Sequence, residues 1–165
     1  MLPSQVFGLR CAEGNLIWVY GCISKNMGTI KDIMKPVVNI APTSTVLEAA
    51  NLMKESERGS LLVLDGKITT GIITERDLVT RVIARNLPDT TPVSEVMSTP
   101  LITINANTSP KGAARIMCEH RIRRLPVIEG GAVAGIVLAS DVLRHLSQKT
   151  LTEQIWKALI VGHQA

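Results

Sequence analysis

The sequence predicts an α+β protein made of two tandem β-α-β-β-α repeats packed about a pseudo-twofold axis. Three observations carry this expectation. The chain matches itself: "IKDIM" (30–34) lies on "VSEVM" (93–97) at an offset of 63. After one inserted residue an offset of 64 holds through Ala49-Ala50 on Ala113-Ala114, Met53 on Met117, "LLVLDG" on "LPVIEG", Gly71 on Gly135 and Asp77 on Asp141. Such self-similarity outranks local propensity as a guide to architecture. Each copy also runs through the same order of strand, helix, strand, strand and helix signals. Finally, 45% of the 165 residues are hydrophobic, with only one Phe, one Tyr and two Trp, so a sizeable core is expected and it must be aliphatic.

The elements follow in order. A short apolar strand opens each copy, Val37-Val38-Asn39-Ile40 and Leu101-Ile102-Thr103-Ile104. Thr45 with Glu48 three residues on is a capping box for the first helix. Ser109-Pro110 supplies an N-cap followed by proline at the first helical position in the second copy. Val46, Ala50 and Met53, and likewise Ala113, Ile116 and Met117, recur at helical spacing, and Cys118 within the second pattern reads as a small buried hydrophobe. Two strands then flank a tight turn, with Asp65-Gly66 in one copy and Gly130-Gly131 in the other as the expected turn residues. "RDLVTRVIARN" and "SDVLRHLSQ" read as the closing helices.

These signals set the expected organisation: an N-terminal extension over 1–28, a first repeat over 29–85, a linker over 86–91, a second repeat over 92–148 and a C-terminal helix over 149–165. The extension differs in composition, holding three of the four aromatics and two of the three cysteines. Met27 precedes the repeat, so 1–26 is expected to be a poorly ordered extension or the product of an upstream start codon. "LTEQIWKALIVG" places Ile155, Leu159 and Ile160 near Trp156 as an amphipathic helix that docks on the repeats or on a second subunit. A unit of about 55 residues buries little surface alone, so the copies are expected to pack on each other and to leave two related clefts.

Composition narrows the function. A net charge of +4 and a pI near 9.2 favour anionic partners only weakly. Recognition of single-stranded nucleic acid leans on aromatic stacking, and no aromatic lies between residues 30 and 147. Cys11, Cys22 and Cys118 form no CxxC pair, which argues against a zinc site or a disulfide framework. "NLIWVYGC" is too short to span a bilayer and lacks a basic lead-in, so a soluble, cytoplasmic protein is expected, with no membrane partner. No phosphate loop, dinucleotide fingerprint, HExxH or GxSxG is present, and no nucleophile has an evident base partner. The expectation is a protein that is not an enzyme, with no catalytic residue and no metal. His120, His145 and His163 are scattered and read as surface residues.

The repeated tail carries the chemistry. "GIITERD" (71–77) puts Thr74 at a helix N-cap and Asp77 at the third helical position; "GIVLASD" (135–141) repeats the glycine and the acid but not the threonine. In the plain reading these residues cap a helix. In the other, Asp77 accepts two hydroxyl hydrogen bonds from a vicinal diol, a ribose being the commonest source, and Thr74 adds a third contact.

The doubled "IKDIM…LLVLDG…GIITERD" pattern resembles a pair of CBS domains, the Bateman module, over about 110 residues. That resemblance implies a regulatory sensor of an adenosine-containing ligand (AMP, ADP, ATP or S-adenosylmethionine) bound between the repeats, without any further cofactor. In the first site it implies Asp77 and Thr74 on the ribose, Gly59, Ser60, Ile72, Leu101 and Ile102 around the base, and Arg124 at the phosphate. In the second it implies Asp141 on the ribose, with Ser140 as a partial substitute for the missing threonine, Arg123 at the phosphate, and Ile136, Val37 and Val38 around the base. Leu138 stands where Thr74 has its hydroxyl, so the Asp77 site is expected to bind more tightly. The resemblance further implies a homodimer, and a protein without an attached catalytic domain is expected to signal to a separate, unidentified regulated protein. Two other readings stay open: a nucleic-acid-binding module using the Arg121–Arg124 strip, and a structural dimerisation scaffold with vestigial pockets.

Overall fold

The computed structural model describes residues 6–10, 16–20 and 28–147, the first two stretches as backbone strands β1 (Val6–Arg10) and β2 (Leu16–Tyr20). The rest of the expected extension, and the expected C-terminal helix over 149–165, lie outside the described residues.

Two compact units are present. One comprises residues 36–102. Its sheet has the order β3-β4-β5, with β3 (Asn39–Ile40) parallel to β4 (Ser60–Asp65) and β4 antiparallel to β5 (Ile68–Thr74). Helix α1 (Val46–Glu55) and a second helical stretch, α2 (Glu75–Arg85), complete it, with the short α3 (Val93–Val96). The core joins Ile40, Val46, Ala49, Met53, Leu61, Val63, Ile73 and Val82 to Val93 and Val96, and it is aliphatic throughout. The other unit takes residues 28–35 together with 103–147. It holds a 3₁₀ turn over Ile30–Asp32, most of β6 (Ile102–Asn105), α4 (Pro110–His120), the hairpin β7 (Arg124–Glu129) and β8 (Ala132–Leu138), and a last helix, α5, over 139–147. Here β6-β7-β8 are neighbours, within a five-strand order that β1 and β2 complete.

The sequence repeat and the compact unit are therefore different objects. The leading segment of each copy is bound to the body of the other. Ser98 exchanges two backbone hydrogen bonds with Ile72, at 2.8 and 3.2 Å, and Lys35 exchanges two with Ile136, at 2.8 and 2.9 Å. The Val93 N–H donates to the Ser44 carbonyl at 2.8 Å, and the Ile30 N–H donates to the Thr108 carbonyl at 2.9 Å. The glycines of the repeated tail make this possible. A Cβ at Gly71 would stand 2.7 Å from Met97 Sδ and 2.9 Å from the Ser98 carbonyl oxygen; at Gly135 it would stand 2.9 Å from Met34 Sδ and 3.0 Å from the Lys35 oxygen. Only a residue without a side chain lets the leading backbone lie this close to the strand.

Local expectations hold in most places. Thr45 accepts from the Glu48 N–H at 3.1 Å and Glu48 Oε2 accepts from the Thr45 N–H at 2.8 Å. Ser109 Oγ accepts from the Gly112 N–H at 3.1 Å, with Pro110 at the first position of α4. Each hairpin carries an irregularity at the same place, between Val63 and Leu64 and between Val127 and Ile128. The second turn is Gly130-Gly131, both at positive φ. The first is Gly66-Lys67 rather than Asp65-Gly66, because Asp65 still pairs with Ile68. Cys118 is exposed, contrary to expectation. The buried stripe of α4 is Ala113, Ile116 and Met117, and the next residue along a 3.6-residue period turns away from it.

Candidate functional site

Both closing helices begin with an acid held in the first turn. In the unit of residues 36–102, β5 ends at Thr74, whose extended backbone makes it the N-cap of α2. Thr74 Oγ1 accepts from the Asp77 N–H at 3.3 Å, while Asp77 Oδ2 accepts from the Thr74 N–H at 2.9 Å and from its hydroxyl at 2.6 Å. The helix dipole favours a carboxylate here. Asp77 is 7% exposed, and its other oxygen, Oδ1, faces Arg81 Nε at 3.3 Å and accepts from Ser98 Oγ at 3.4 Å. Arg81 is fixed in turn. Its Nη1 donates to the carbonyls of Val96 and Met97 at 2.8 and 2.7 Å, and its Nη2 donates to Ser98 Oγ at 3.0 Å. After this first turn α2 widens into a π-helical stretch over Leu78–Val82 and tightens to 3₁₀ over Ile83–Arg85.

Several residues expected in the first site meet around this acid. Ser60 is the register partner of Thr74, and the Gly59 carbonyl accepts from the Glu75 N–H at 3.2 Å. Ile72 is paired with Ser98, the residue that reaches Asp77. Leu101 is buried and Ile102 half-buried in the same unit, whereas Arg124 belongs to the other unit as the first residue of β7, half-buried and opposite Leu138.

In the unit of residues 28–35 and 103–147, Leu138 ends β8 and Asp141 takes the place of Asp77. It too is 7% exposed. Its Oδ1 accepts from Lys35 Nζ at 2.9 Å and lies 3.8 Å from Arg144 Nη1. Its Oδ2 is buried and meets no hydrogen-bond donor among the described residues. The Arg123 carbonyl accepts from the Ala139 N–H at 2.9 Å, as Gly59 does from Glu75, while the Arg123 and Ser140 side chains are exposed. Ile136 is buried and paired with Lys35. Val37 and Val38, expected around the same ligand, belong to the other unit.

Lys35, Arg81 and Ser98 were not among the residues expected from sequence. Arg81 stands four residues after Asp77, the spacing of a helical ion pair, and that signal was available. Lys35 and Ser98 occupy matching places at offset 63, but their contacts to the acids depend on the exchange of leading segments.

Two further observations bear on function. Among the described residues no group of His, Cys, Asp and Glu is arranged to hold a metal ion, and no helix is long and apolar enough to cross a membrane. In the unit of residues 36–102 a groove of about 340 Å³ runs between α1 and α2, lined by Leu47, Ala50, Leu78, Ile83, Leu87 and their neighbours. Ile83 and Val79 on α2 are among the most exposed large apolar side chains, at 72% and 55%.

Comparison with known proteins agrees with this geometry. A CBS-domain profile matches residues 30–84 and again 93–148. The CBS domain-containing protein YhcV of Bacillus subtilis is 39% identical over 117 residues, covering 70% of this chain and 84% of its own. The crystal structure of an uncharacterized conserved protein from Pyrococcus horikoshii superposes with a TM-score of 0.68 at 36% identity, covering 73% of this chain and 93% of that one. The CBS domain pair of protein MJ0100, solved in complex with 5-methylthioadenosine and S-adenosyl-L-methionine, superposes with a TM-score of 0.67 at 26% identity over 74% of this chain and 98% of that one. With two tandem matches that together cover most of its length, the chain belongs to the CBS-domain family.

Proposed function

We propose that this protein is a regulatory module that binds an adenosine-containing ligand through the aspartates at the heads of its closing helices and passes the state of that ligand to a separate protein. CBS pair proteins are regulatory modules, and one solved relative holds two adenosyl compounds. The observation that carries the reading is a carboxylate more than nine-tenths buried, placed in the first turn of a helix in both units. A buried acid at that point is suited to accept hydroxyl hydrogen bonds, and such charge-assisted bonds contribute about 1.5–3 kcal/mol each. We assign Asp77, Thr74, Gly59, Ser60, Ile72, Leu101, Ile102 and Arg124 to one site. To the other we assign Asp141, Ser140, Arg123, Ile136, Val37 and Val38. No residue is given a catalytic role. The apolar groove between α1 and α2 fits contact with a second copy of the chain, since contiguous exposed apolar surface marks interaction sites. Signalling follows if ligand favours one of two arrangements of the module.

A thermal-shift panel of AMP, ADP, ATP, S-adenosylmethionine and NAD tests the reading. Ligand at a hundred times its dissociation constant stabilises the fold by about 2.7 kcal/mol, or roughly 5–10 °C at this chain length. A flat panel contradicts the proposal and favours a scaffold. Salt-sensitive binding of duplex DNA, with a slope near −0.9 per phosphate contact, would favour the Arg121–Arg124 strip instead.

A further inference from the structure

The two aspartates occupy matching places but differ in what holds them. An ionised carboxylate offers about four acceptor positions. At Asp77 four donors from the same unit face them: the Thr74 N–H and hydroxyl on Oδ2, and Arg81 Nε and Ser98 Oγ on Oδ1. At Asp141 the ammonium of Lys35 and the more distant guanidinium of Arg144 both lie on Oδ1. The buried Oδ2 has no donor among the described residues: Leu138 brings no hydroxyl, and its N–H does not donate to Oδ2 as that of Thr74 does to Asp77. A buried acceptor left without a donor is costly, so a hydroxyl that reaches it gains more than one competing with bonds already made.

The cation differs as well. At offset 63 the counterpart of Lys35 is Ser98, so only Asp141 has an ammonium supplied from the leading segment. The Lys35 backbone is pinned to Ile136 by two hydrogen bonds, which fixes where its side chain starts. Its side chain is 40% exposed, and an ammonium has three donors, of which Asp141 takes one. An acid with a buried acceptor that lacks a donor, beside a half-exposed ammonium, suits a ligand that presents a hydroxyl and an anionic group together.

We infer that Asp141 and Lys35 form the ligand-selecting pair of this protein: Asp141 Oδ2 accepts a ligand hydroxyl, Lys35 meets a ligand phosphate, and this site binds more tightly than the one at Asp77. The inference rests on the adenosine reading above and reverses the ranking expected from sequence. Thr74, expected as a third contact to the sugar, spends its hydroxyl on Asp77.

Calorimetric titration with AMP and with adenosine, on the wild type and on Lys35→Ser, Asp141→Asn and Asp77→Asn, tests it. Lys35→Ser lowers AMP affinity about tenfold or more and leaves adenosine affinity within about threefold, since one charge-assisted bond is lost only by the charged ligand. Adenosine binding also reports that the variant is folded. Asp141→Asn removes more AMP affinity than Asp77→Asn. If the wild type binds AMP but Lys35→Ser leaves the AMP-to-adenosine ratio unchanged, or if Asp77→Asn is the more damaging change, the inference is overturned while the adenosine reading stands. A wild type that binds neither probe overturns the inference outright; the adenosine reading falls with it only if the whole thermal-shift panel is also flat.

Discussion

The aspartate at the head of α2 and the one at the head of α5 come from the same repeated tail and begin equivalent helices, yet one meets four donors spread over both its oxygens and the other two cations on a single oxygen. Around them the backbones agree closely. Ser98–Ile72 and Lys35–Ile136 are equivalent hydrogen-bonded pairs, Val93–Ser44 and Ile30–Thr108 are another equivalent set, and both hairpins break register at the matching residue. The side chains that touch the acids diverge at four positions: Thr74 against Leu138, Ser98 against Lys35, Arg81 against His145, and Thr80 against Arg144. Backbone geometry in this fold depends on a few steric requirements, above all the two glycines that admit the leading segments, and either copy meets them. Polar satisfaction depends on individual hydroxyls and cations, so it can be present in one copy and absent in the other without disturbing the frame.

The largest effect that would break this comparison is expected at the cations. Arg81→Met takes the guanidinium from the buried Asp77 carboxylate, which keeps Thr74 and Ser98, and removes the donor to two carbonyls. Breaking a fully buried pair costs about 3–5 kcal/mol; with Arg81 37% exposed, a cost of about 2 kcal/mol is expected, or roughly 4–8 °C in melting temperature. Lys35→Met removes one bond and leaves the buried Asp141 with the more distant Arg144, but Lys35 anchors no carbonyl as Arg81 does, so a smaller cost of about 1 kcal/mol is expected. Parallel melting curves decide; equal losses would mean that Asp77 depends on Arg81 no more than Asp141 depends on Lys35. The next effect sharpens the backbone half of the comparison. Gly71→Ala and Gly135→Ala each push a Cβ against the opposing leading segment, and overpacking of this kind costs about 1–3 kcal/mol. Urea unfolding should show a loss at both, because the opposing backbone oxygens stand only 2.9 and 3.0 Å from the added Cβ. A neutral result at either glycine would mean that its leading segment is not held against the strand.

How much of this could be read from the residues alone depends on range. Caps at Thr45 and Ser109 are legible because the donor and acceptor lie three residues apart and the chemistry is local. Glycine turns are legible to within a residue, and the slip at Asp65-Gly66 arises because nothing local says whether Asp65 continues the strand. The duplication fixed the order of elements, but not which body each leading segment joins. That choice is made by contacts between residues far apart in the chain, such as Ile30 with Thr108. The same holds at the site: Thr74 and Asp77 were legible as a cap, Arg81 was legible in principle from its spacing, and Lys35 was not, since 106 residues separate it from Asp141. The π-helical widening of α2 at Leu78–Val82 has no signature in these residues that we can name.

The most direct test of the account is the stability of two single variants, Asp77→Ala and Asp141→Ala, compared by urea unfolding without ligand. Removing Asp77 takes the acceptor from the Thr74 cap and leaves Arg81 unpaired, for an expected loss of about 2–3 kcal/mol. Removing Asp141 loses the half-exposed pair with Lys35 and the longer, exposed one with Arg144, but also a buried oxygen that has no donor, so a loss of no more than about 1 kcal/mol is expected. Equal losses, or a greater loss at Asp141, would contradict the claim that one acid is satisfied by its own fold and the other keeps a buried oxygen without a donor.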